Sequence, residues 1–251
     1  MRAFGLIGKQ LRHSFSKKYF EEKFRKLGIT DCSYELFPID SIDKIETILT
    51  SNLNLIGLNV TIPYKESVLK YLDHLDPSAE KTGAVNCIKI NTEAGKKVLT
   101  GYNTDTFGFQ QSIKPFLEPQ HDKALILGTG GASKAVEYVL KQIGVNCFFV
   151  SRSNNESKEN YFTYEQINDQ KITGHFKLII NTTPVGMYPD VDSCPNISFD
   201  SIGPQHLLYD LVYNPEQTSF LKKGKEKGAV AINGLSMLYH QADKAWEIWN
   251  S

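Results

Sequence analysis

Apolar positions along the chain follow two patterns, and their alternation sets the expected architecture. Short unbroken apolar runs bounded by turn residues read as buried strands. Apolar residues spaced three and four apart read as helices with one buried face. Ala3 to Ile7 is the first such strand, and a polar loop runs from Gly8 to Ser16. Phe20, Phe24 and Leu27 mark a helix over Ser16 to Leu27, which Gly28 ends. Tyr34 to Ile39 reads as a strand, Ile42, Ile45, Ile48 and Leu49 as a helix, and Leu55 to Thr61 as a strand broken at Pro63. Glu66 to Leu72 reads as a third helix and Ala84 to Ile90 as another strand.

The alternation resumes further on. Ala124 to Leu127 and Val145 to Val150 are apolar runs, and between them Ala132, Ala135, Val136, Val139, Leu140 and Ile143 keep helical spacing. Phe176 to Ile180 and Leu207 to Val212 read as strands, Phe220 to Lys227 as a helix, Ala229 to Ile232 as a short strand and Leu235 to Trp249 as a final helix. Such alternation specifies an α/β fold with open sheets. The expected division is into two lobes, joined near Tyr102 to Gly108. One is an open α/β sheet over 1–103 plus 235–251, and the other a Rossmann-like doubly wound domain over 104–234. The final helix is expected to return to the first lobe, with Gly234 as a hinge.

Composition narrows the function classes. Lys plus Arg equals Asp plus Glu at 28 each, which gives no global electrostatic case for nucleic acid or an anionic membrane. Hydrophobic residues make up 41% of the chain, yet no apolar run approaches the roughly 18 residues of a membrane span. The opening MRAFGLIG reads as a strand rather than a signal peptide. Cys32, Cys87, Cys147 and Cys194 are scattered with no C-x-x-C pair, so no metal site is expected. Reduced, buried thiols in a cytoplasmic protein are the expected state.

The first chemical signal follows the Ala124 to Leu127 run. Gly128, Thr129, Gly130, Gly131, Ala132 and Ser133 form G-x-G-x-x-S between a strand and a helix. Glycines there let the backbone approach a pyrophosphate, and the helix N-terminus offers free N–H groups to the anion. An ordinary tight turn is the other reading of the same glycines. The tip of the next strand carries Ser151-Arg152-Ser153, where an NAD site usually has an acidic residue. A cation between two hydroxyls suits a 2′-phosphate and so NADP, although a loop arginine in solvent would look the same.

Polar residues also crowd the strand ends of the first lobe. Ser14 and Ser16 stand at a helix start, where they can hold a carboxylate or simply cap the helix. Asn59, Thr61 and Lys65 follow the third strand in NVTIPYKE, and Pro63 places Lys65 in the first turn of the expected helix. A cation in that position opposes the helix dipole, which argues for a role beyond solvation. Asn86 lies in GAVNCI. Asn103, Thr104 and Asp105 lie in GYNTDTFGF, where Asp105 is a candidate N-cap. If hydride leaves a secondary alcohol, something must take the hydroxyl proton. His13, His74 and His240 sit in loop or helix contexts, which leaves Lys65 as the candidate, with Asp105 able to favour its charged form.

Eight segments in order make the chain resemble the shikimate dehydrogenase family along nearly its whole length. They are HSFS (His13 to Ser16), NVTIPYKE, GAVNCI, GYNTDTFGF, GTGGAS, NTTPVGM (Asn181 to Met187), DLVYNP (Asp210 to Pro215) and GLSMLYHQA (Gly234 to Ala242). The resemblance implies NADP-dependent, reversible oxidation of shikimate to 3-dehydroshikimate in aromatic amino-acid (chorismate) biosynthesis. It implies that Ser14 and Ser16 hold the substrate carboxylate, that Thr61, Asn86, Asp105 and Gln241 hold ring hydroxyls, and that Lys65 and Asp105 are the catalytic pair. It implies that Gly128 to Ser133 bind the pyrophosphate and Ser151, Arg152 and Ser153 the 2′-phosphate. Thr182, Val212, Gly234 and Met237 then lie on the nicotinamide side and Tyr213 near the substrate. The protein would work on a small molecule as a monomer or homodimer, with no nucleic-acid or membrane partner.

The chain departs from the family pattern at several positions. Gln10 and Lys17 stand where the family usually has proline, and Ser151-Arg152-Ser153 replaces Asn-Arg-Thr. Glu156 stands where a second arginine often follows, with Lys158 as a compensating cation. Two other readings stay open: a quinate/shikimate dehydrogenase using NAD, and a catalytically silent relative that binds cofactor or metabolite.

Overall fold

The structure, a computed structural model, describes residues 1–11, 14–152, 160–169 and 172–251. The chain divides into two compact units, Met1–Thr104 with Ala242–Ser251, and Asp105–Gln241.

The first unit begins with β1 (Arg2–Gly8), α1 (Phe15–Leu27) and β2 (Cys32–Pro38). α1 forms where expected: Ser14 caps it, and Gly28 ends it in the left-handed conformation at φ 66°. A 3-10 turn leads into α2 (Ile45–Ser51), and β3 (Leu55–Val60) follows. Next come a 3-10 helix (Ser67–Tyr71), the short strand β4 (His74–Leu75), α3 (Pro77–Thr82), β5 (Cys87–Glu93) and β6 (Lys96–Tyr102). Ala94 at φ 47° and Gly95 at φ 80° turn the β5–β6 hairpin, the pair of positive φ values that suits a tight connection.

The sheet order is β2-β1-β3-β5-β6-β4. β1 runs parallel to β2 and β3, while β5 is antiparallel to both β3 and β6. One face packs Ile7, Leu55, Leu58, Val68 and Ile88. The other packs Phe4, Phe20, Phe24 and Tyr34 against Ala242, Ala245 and Trp249. The Trp249 indole Nε1 donates to the Ile88 carbonyl at 3.0 Å, a buried bond that ties the C-terminal residues to the sheet.

Three expectations for this unit need correction. Glu66 to Leu72 is a short 3-10 helix over Ser67–Tyr71 rather than an α-helix, and Glu66 stands at its N-cap. Lys65 therefore precedes the helix, and the dipole argument for it falls away. The strand expected over Ala84 to Ile90 begins at Cys87, so Asn86 lies just before it. β4, α3 and β6 were also not expected: their sequences, such as KKVLTGY, carry no unbroken apolar run.

The second unit contains α4 (Thr104–Ile113, with Thr104 counted in the first unit), β7 (Lys123–Leu127), α5 (Gly131–Gln142), β8 (Asn146–Ser151), β9 (Tyr161–Thr163) and α6 (Tyr164–Asp169). β10 (Leu178–Asn181), β11 (Leu207–Asp210), α7 (Ser219–Glu226), β12 (Val230–Asn233) and α8 (Leu235–Asn250) complete it. Its sheet has the order β12-β11-β10-β7-β8-β9, and every neighbouring pair is parallel. Both faces are covered by apolar clusters, which explains why its strands read as continuous apolar runs. β9 and α6 are short additions that the sequence pattern did not predict. The boundary with the first unit falls inside α8, between Gln241 and Ala242. Among the described residues, no helix is long and apolar enough to cross a membrane.

Candidate active site

In the first unit, strand direction gathers the candidate residues at one sheet edge. β1 and β3 end together, with Ile7 opposite Val60. β5 runs the other way, so its start, Cys87, pairs with Asn59 near the end of β3 and with Tyr102 at the end of β6. Ser14 and Ser16 after β1, Thr61 and Lys65 after β3, Asn86 before β5 and Thr104 after β6 thus share that edge. Ligand sites of open α/β sheets lie at such strand ends.

Hydrogen bonds to the backbone and to neighbouring side chains order this edge. The Ser14 hydroxyl accepts the Ser16 N–H at 3.2 Å, so Ser14 does cap α1, and both serines remain partly exposed. The Thr61 N–H donates to the Ile7 carbonyl, and the Lys65 carbonyl accepts from the Val85 N–H at 2.7 Å. Between them, the buried Tyr64 sends its hydroxyl to the Ile39 carbonyl at 2.7 Å and anchors the turn. Lys65 is half-buried.

Asn86 is buried and bound to the next element. Its Oδ1 accepts the Thr104 N–H at 2.7 Å, and its Nδ2 donates to Thr104 Oγ1 at 3.0 Å. This carboxamide closes the N-terminus of α4, the helix whose second residue is Asp105. Asn59 backs the arrangement. Its Nδ2 donates to the Asn86 carbonyl at 3.2 Å, and its Oδ1 accepts the Tyr34 hydroxyl at 2.7 Å. Burial pushes the Tyr34 phenol well above its ordinary range, so it stays a neutral donor. The part played by Tyr34 was missed in the sequence, where it reads only as a strand residue.

In the second unit, all strands are parallel and their C-terminal ends form a single edge. Leu127, Val150, Asn181, Asp210 and Asn233 lie across it in register. Strand order reverses between β7 and β10, and ligands of doubly wound sheets bind at such a switch point. Gly128 leaves β7 at φ 102°, a conformation that favours glycine. Gly130 is the N-cap of α5, and a Cβ added there would meet open space, so the backbone is accessible to a large anion. Thr129 is exposed, and Gly131 and Ala132 open the helix partly exposed. Ser133 is buried, and its hydroxyl donates to the Gly130 carbonyl at 2.7 Å, which shapes the turn.

The remaining candidates stand at or follow the strand ends, or lie at the start of α8 and within it. Ser151 ends β8, and Arg152 beyond it is exposed. Burial raises the Tyr164 phenol, and the charge of Arg152 opposes that rise. Ser153, Glu156 and Lys158, like His13, lie outside the described residues. Thr182 Oγ1 donates to the Leu127 carbonyl at 2.7 Å, across the switch point. Val212 is buried, and its carbonyl accepts the Gly234 N–H at 3.3 Å. A Cβ at Gly234 would lie 2.2 Å from the Leu211 carbonyl oxygen, so only glycine permits this approach. Burial raises the Tyr213 phenol. Met237 packs in the core cluster with Phe109, and Gln241 is buried with its Nε2 donating to the Leu238 carbonyl at 2.9 Å. Among the described residues, no group of three or more His, Cys, Asp or Glu could hold a metal ion.

A doubly wound sheet with an open glycine turn at its switch point defines a dinucleotide-binding class, here joined to a mixed α/β sheet with its own polar edge. Residues 6–88 match the family model described as the shikimate dehydrogenase substrate binding domain. A curated relative from Clostridium beijerinckii, named shikimate dehydrogenase (NADP(+)), is 39% identical over 99% of this chain and 92% of its own. The solved shikimate 5-dehydrogenase of Listeria monocytogenes, in complex with shikimate and NAD, matches with a TM-score of 0.84 and 32% identity, covering 100% of this chain and 92% of that one. That of Thermus thermophilus, in complex with NADP(H) and shikimate, matches with a TM-score of 0.83 and 29% identity, covering 99% and 93%. This chain belongs to the shikimate dehydrogenase family.

Proposed function

We propose that this protein is an NADP-dependent shikimate dehydrogenase, which interconverts shikimate and 3-dehydroshikimate. The observation that carries the reading is likeness over nearly the whole chain to relatives named for that reaction with NADP(+). The open backbone over Gly130 at the start of α5 fits a pyrophosphate, which is the observation of this molecule that supports a dinucleotide. When bound, NADP supplies the hydride acceptor.

The chain's own residues supply the rest. Ser14 and Ser16 hold the substrate carboxylate with their hydroxyls, beside the free N–H groups of α1. Thr61, Asn86, Asp105 and Gln241 orient the ring hydroxyls, and Tyr213 contributes to the same subsite. Lys65 and Asp105 are the catalytic pair. The lysine stabilises charge on the reacting oxygen and exchanges its proton, and the carboxylate favours the charged lysine. Gly128 to Ser133 hold the pyrophosphate. Ser151 and Arg152, with Ser153, hold the 2′-phosphate, and Thr182, Val212, Gly234 and Met237 form the nicotinamide side. The substrate carboxylate is assigned to the first unit and the cofactor to the second. A cytoplasmic monomer or homodimer belongs to the same proposal; the four cysteines are all free thiols, as a reducing compartment requires.

The test is an absorbance assay of nicotinamide reduction on the purified protein with shikimate or quinate, each with NADP or NAD. Fastest turnover with shikimate and NADP is expected. A preference for quinate, or for NAD, would overturn the assignment of substrate or of cofactor respectively.

A further inference from the structure

β10 and β11 end side by side, with Asn181 opposite Asp210. Asp210 is fully buried, and three neutral donors satisfy its carboxylate. Oδ1 accepts from Asn181 Nδ2 at 2.9 Å and from the Val212 N–H at 3.0 Å, and Oδ2 accepts from Thr218 Oγ1 at 2.6 Å. The donors come from three segments: the end of β10, the loop after β11, and the N-cap of α7. The ties extend outward. Asn181 Oδ1 accepts both the Thr183 N–H at 3.1 Å and the Thr183 hydroxyl at 2.6 Å. Thr218 Oγ1 accepts the Leu221 N–H at 3.4 Å as the cap of α7.

A buried carboxylate with only neutral partners is unfavourable to the fold. Burial pushes the Asp210 carboxyl up to about 6, against the pull of its three donors. Its charge also raises its neighbours Tyr209 and Cys194, both of which burial raises first, and Lys223 beside Cys194 acts in the other direction. What this arrangement gains is position. A single side chain fixes the turn that starts at Thr182 and the backbone of Val212 relative to each other.

We propose that Asp210 is a positioning residue for the cofactor: its buried carboxylate clasps the loops after β10 and β11 and sets where the nicotinamide half lies. The inference rests on the reading of the second unit as an NADP site. The adenosine half belongs to other segments, the turn after β7 and the tip of β8. Loss of the clasp is therefore felt at one end of the dinucleotide.

The test compares two ligands on the full chain: NADPH, titrated by its fluorescence, and 2′-phospho-ADP-ribose, titrated by calorimetry, which lacks only the nicotinamide. Asp210→Ala is expected to weaken NADPH about tenfold or more, the scale of a lost charge-assisted hydrogen bond, while the fragment stays within about threefold. Asp210→Asn is expected to restore NADPH to within about threefold of wild type, because a carboxamide can accept at one atom and donate to Thr218 at the other. Equal weakening of both ligands, no weakening of either, or an Asn variant as weak as the Ala variant would overturn the role. If Asp210→Ala does not fold, Thr218→Val removes one tie at constant shape and should weaken NADPH alone; an equal or absent effect on the two ligands again overturns the role. A wild-type protein that binds neither ligand would overturn the functional reading itself, which separates the two failures.

Discussion

The two sheet edges hold their polar residues by opposite means. At the edge of the first unit, neutral groups are linked in series, with Tyr34 donating to Asn59, Asn59 to the Asn86 carbonyl, and Asn86 to Thr104. At the edge of the second, one buried carboxylate gathers the loops. The neutral network does not titrate near neutrality, whereas Asp210 does, with its carboxyl at about 6. The comparison teaches that strand ends can be ordered by either means, and that of these two networks only the one built on the carboxylate carries a pH dependence.

The largest expected effect sharpens the comparison at its chemical centre. Lys65→Ala should lower kcat by about 10²–10⁴, the usual worth of general acid–base catalysis, with a much smaller change in shikimate affinity. Asp105→Ala should lose both rate and binding, and the double variant should lose less than the sum in free energy. Steady-state kinetics on the three variants checks this; a Lys65→Ala enzyme within about threefold of wild-type kcat would remove the lysine from the mechanism.

Next comes the anion subsite proposed for the first unit. Replacing Ser14 and Ser16 together by alanine should weaken shikimate by about 1–3 kcal/mol for each hydroxyl lost, with NADP affinity unchanged. Calorimetric binding of the two ligands separates them. Unchanged shikimate affinity would reduce both serines to helix caps, the role in which Ser14 is already observed.

The third prediction breaks the comparison on its pH side. The folded carboxyl of Asp210, at about 6, lies above an unfolded value of about 3.9. Between those values the folded state binds more protons, so this group's contribution to stability falls as pH rises from about 4 to about 6. His121 and His206 oppose it. Burial lowers both imidazoles, so their contribution is lost as pH falls through the ordinary histidine range. The difference in unfolding free energy between Asp210→Asn and wild type isolates the carboxylate. It should grow in favour of the Asn variant by up to about 3 kcal/mol from pH 4 to pH 7. Urea titrations across that range measure it, and a difference that does not change with pH would show that Asp210 carries no such shift.

The smallest effect belongs to the neutral edge. Tyr34→Phe leaves Asn59 Oδ1 without its donor and should cost about 1–2 kcal/mol of stability, constant from pH 5 to pH 8. Thermal unfolding at several pH values tests both the size and the flatness.

Much of the second unit was legible in the sequence because parallel strands buried on both faces are unbroken apolar runs, and the glycine turn follows one of them directly. The first unit was legible through β3, in the core of β5 and in the final helix, but β4, α3 and β6 were not. Beyond β3 the sheet turns antiparallel, and β6 has only Val98 and Leu99 as adjacent apolar residues between two lysines and a Thr-Gly pair, so no apolar run announces it. Lys65 was read into a helix because Pro63 often opens one, yet the chain makes a turn first and a 3-10 helix after. The types and order of the candidate residues were legible, because motifs mark them locally. The partners that hold them were not. Tyr34 meets Asn59, Asn86 meets Thr104 and Asp210 meets Asn181, pairs brought together by strand register rather than by spacing. Asp210 did leave one trace, an acid closing the otherwise unbroken run of β11.

The central claim, a substrate edge in the first unit and a cofactor edge in the second, is tested most directly by a crystal structure of the wild-type protein with NADP and shikimate. The account predicts the shikimate carboxylate at hydrogen-bonding distance, about 3 Å, from the Ser14 and Ser16 hydroxyls, and the Lys65 ammonium at the reacting hydroxyl. It predicts the pyrophosphate over Gly128 to Ser133 and Arg152 at the 2′-phosphate. A carboxylate bound to other groups, or a pyrophosphate away from the start of α5, would contradict it.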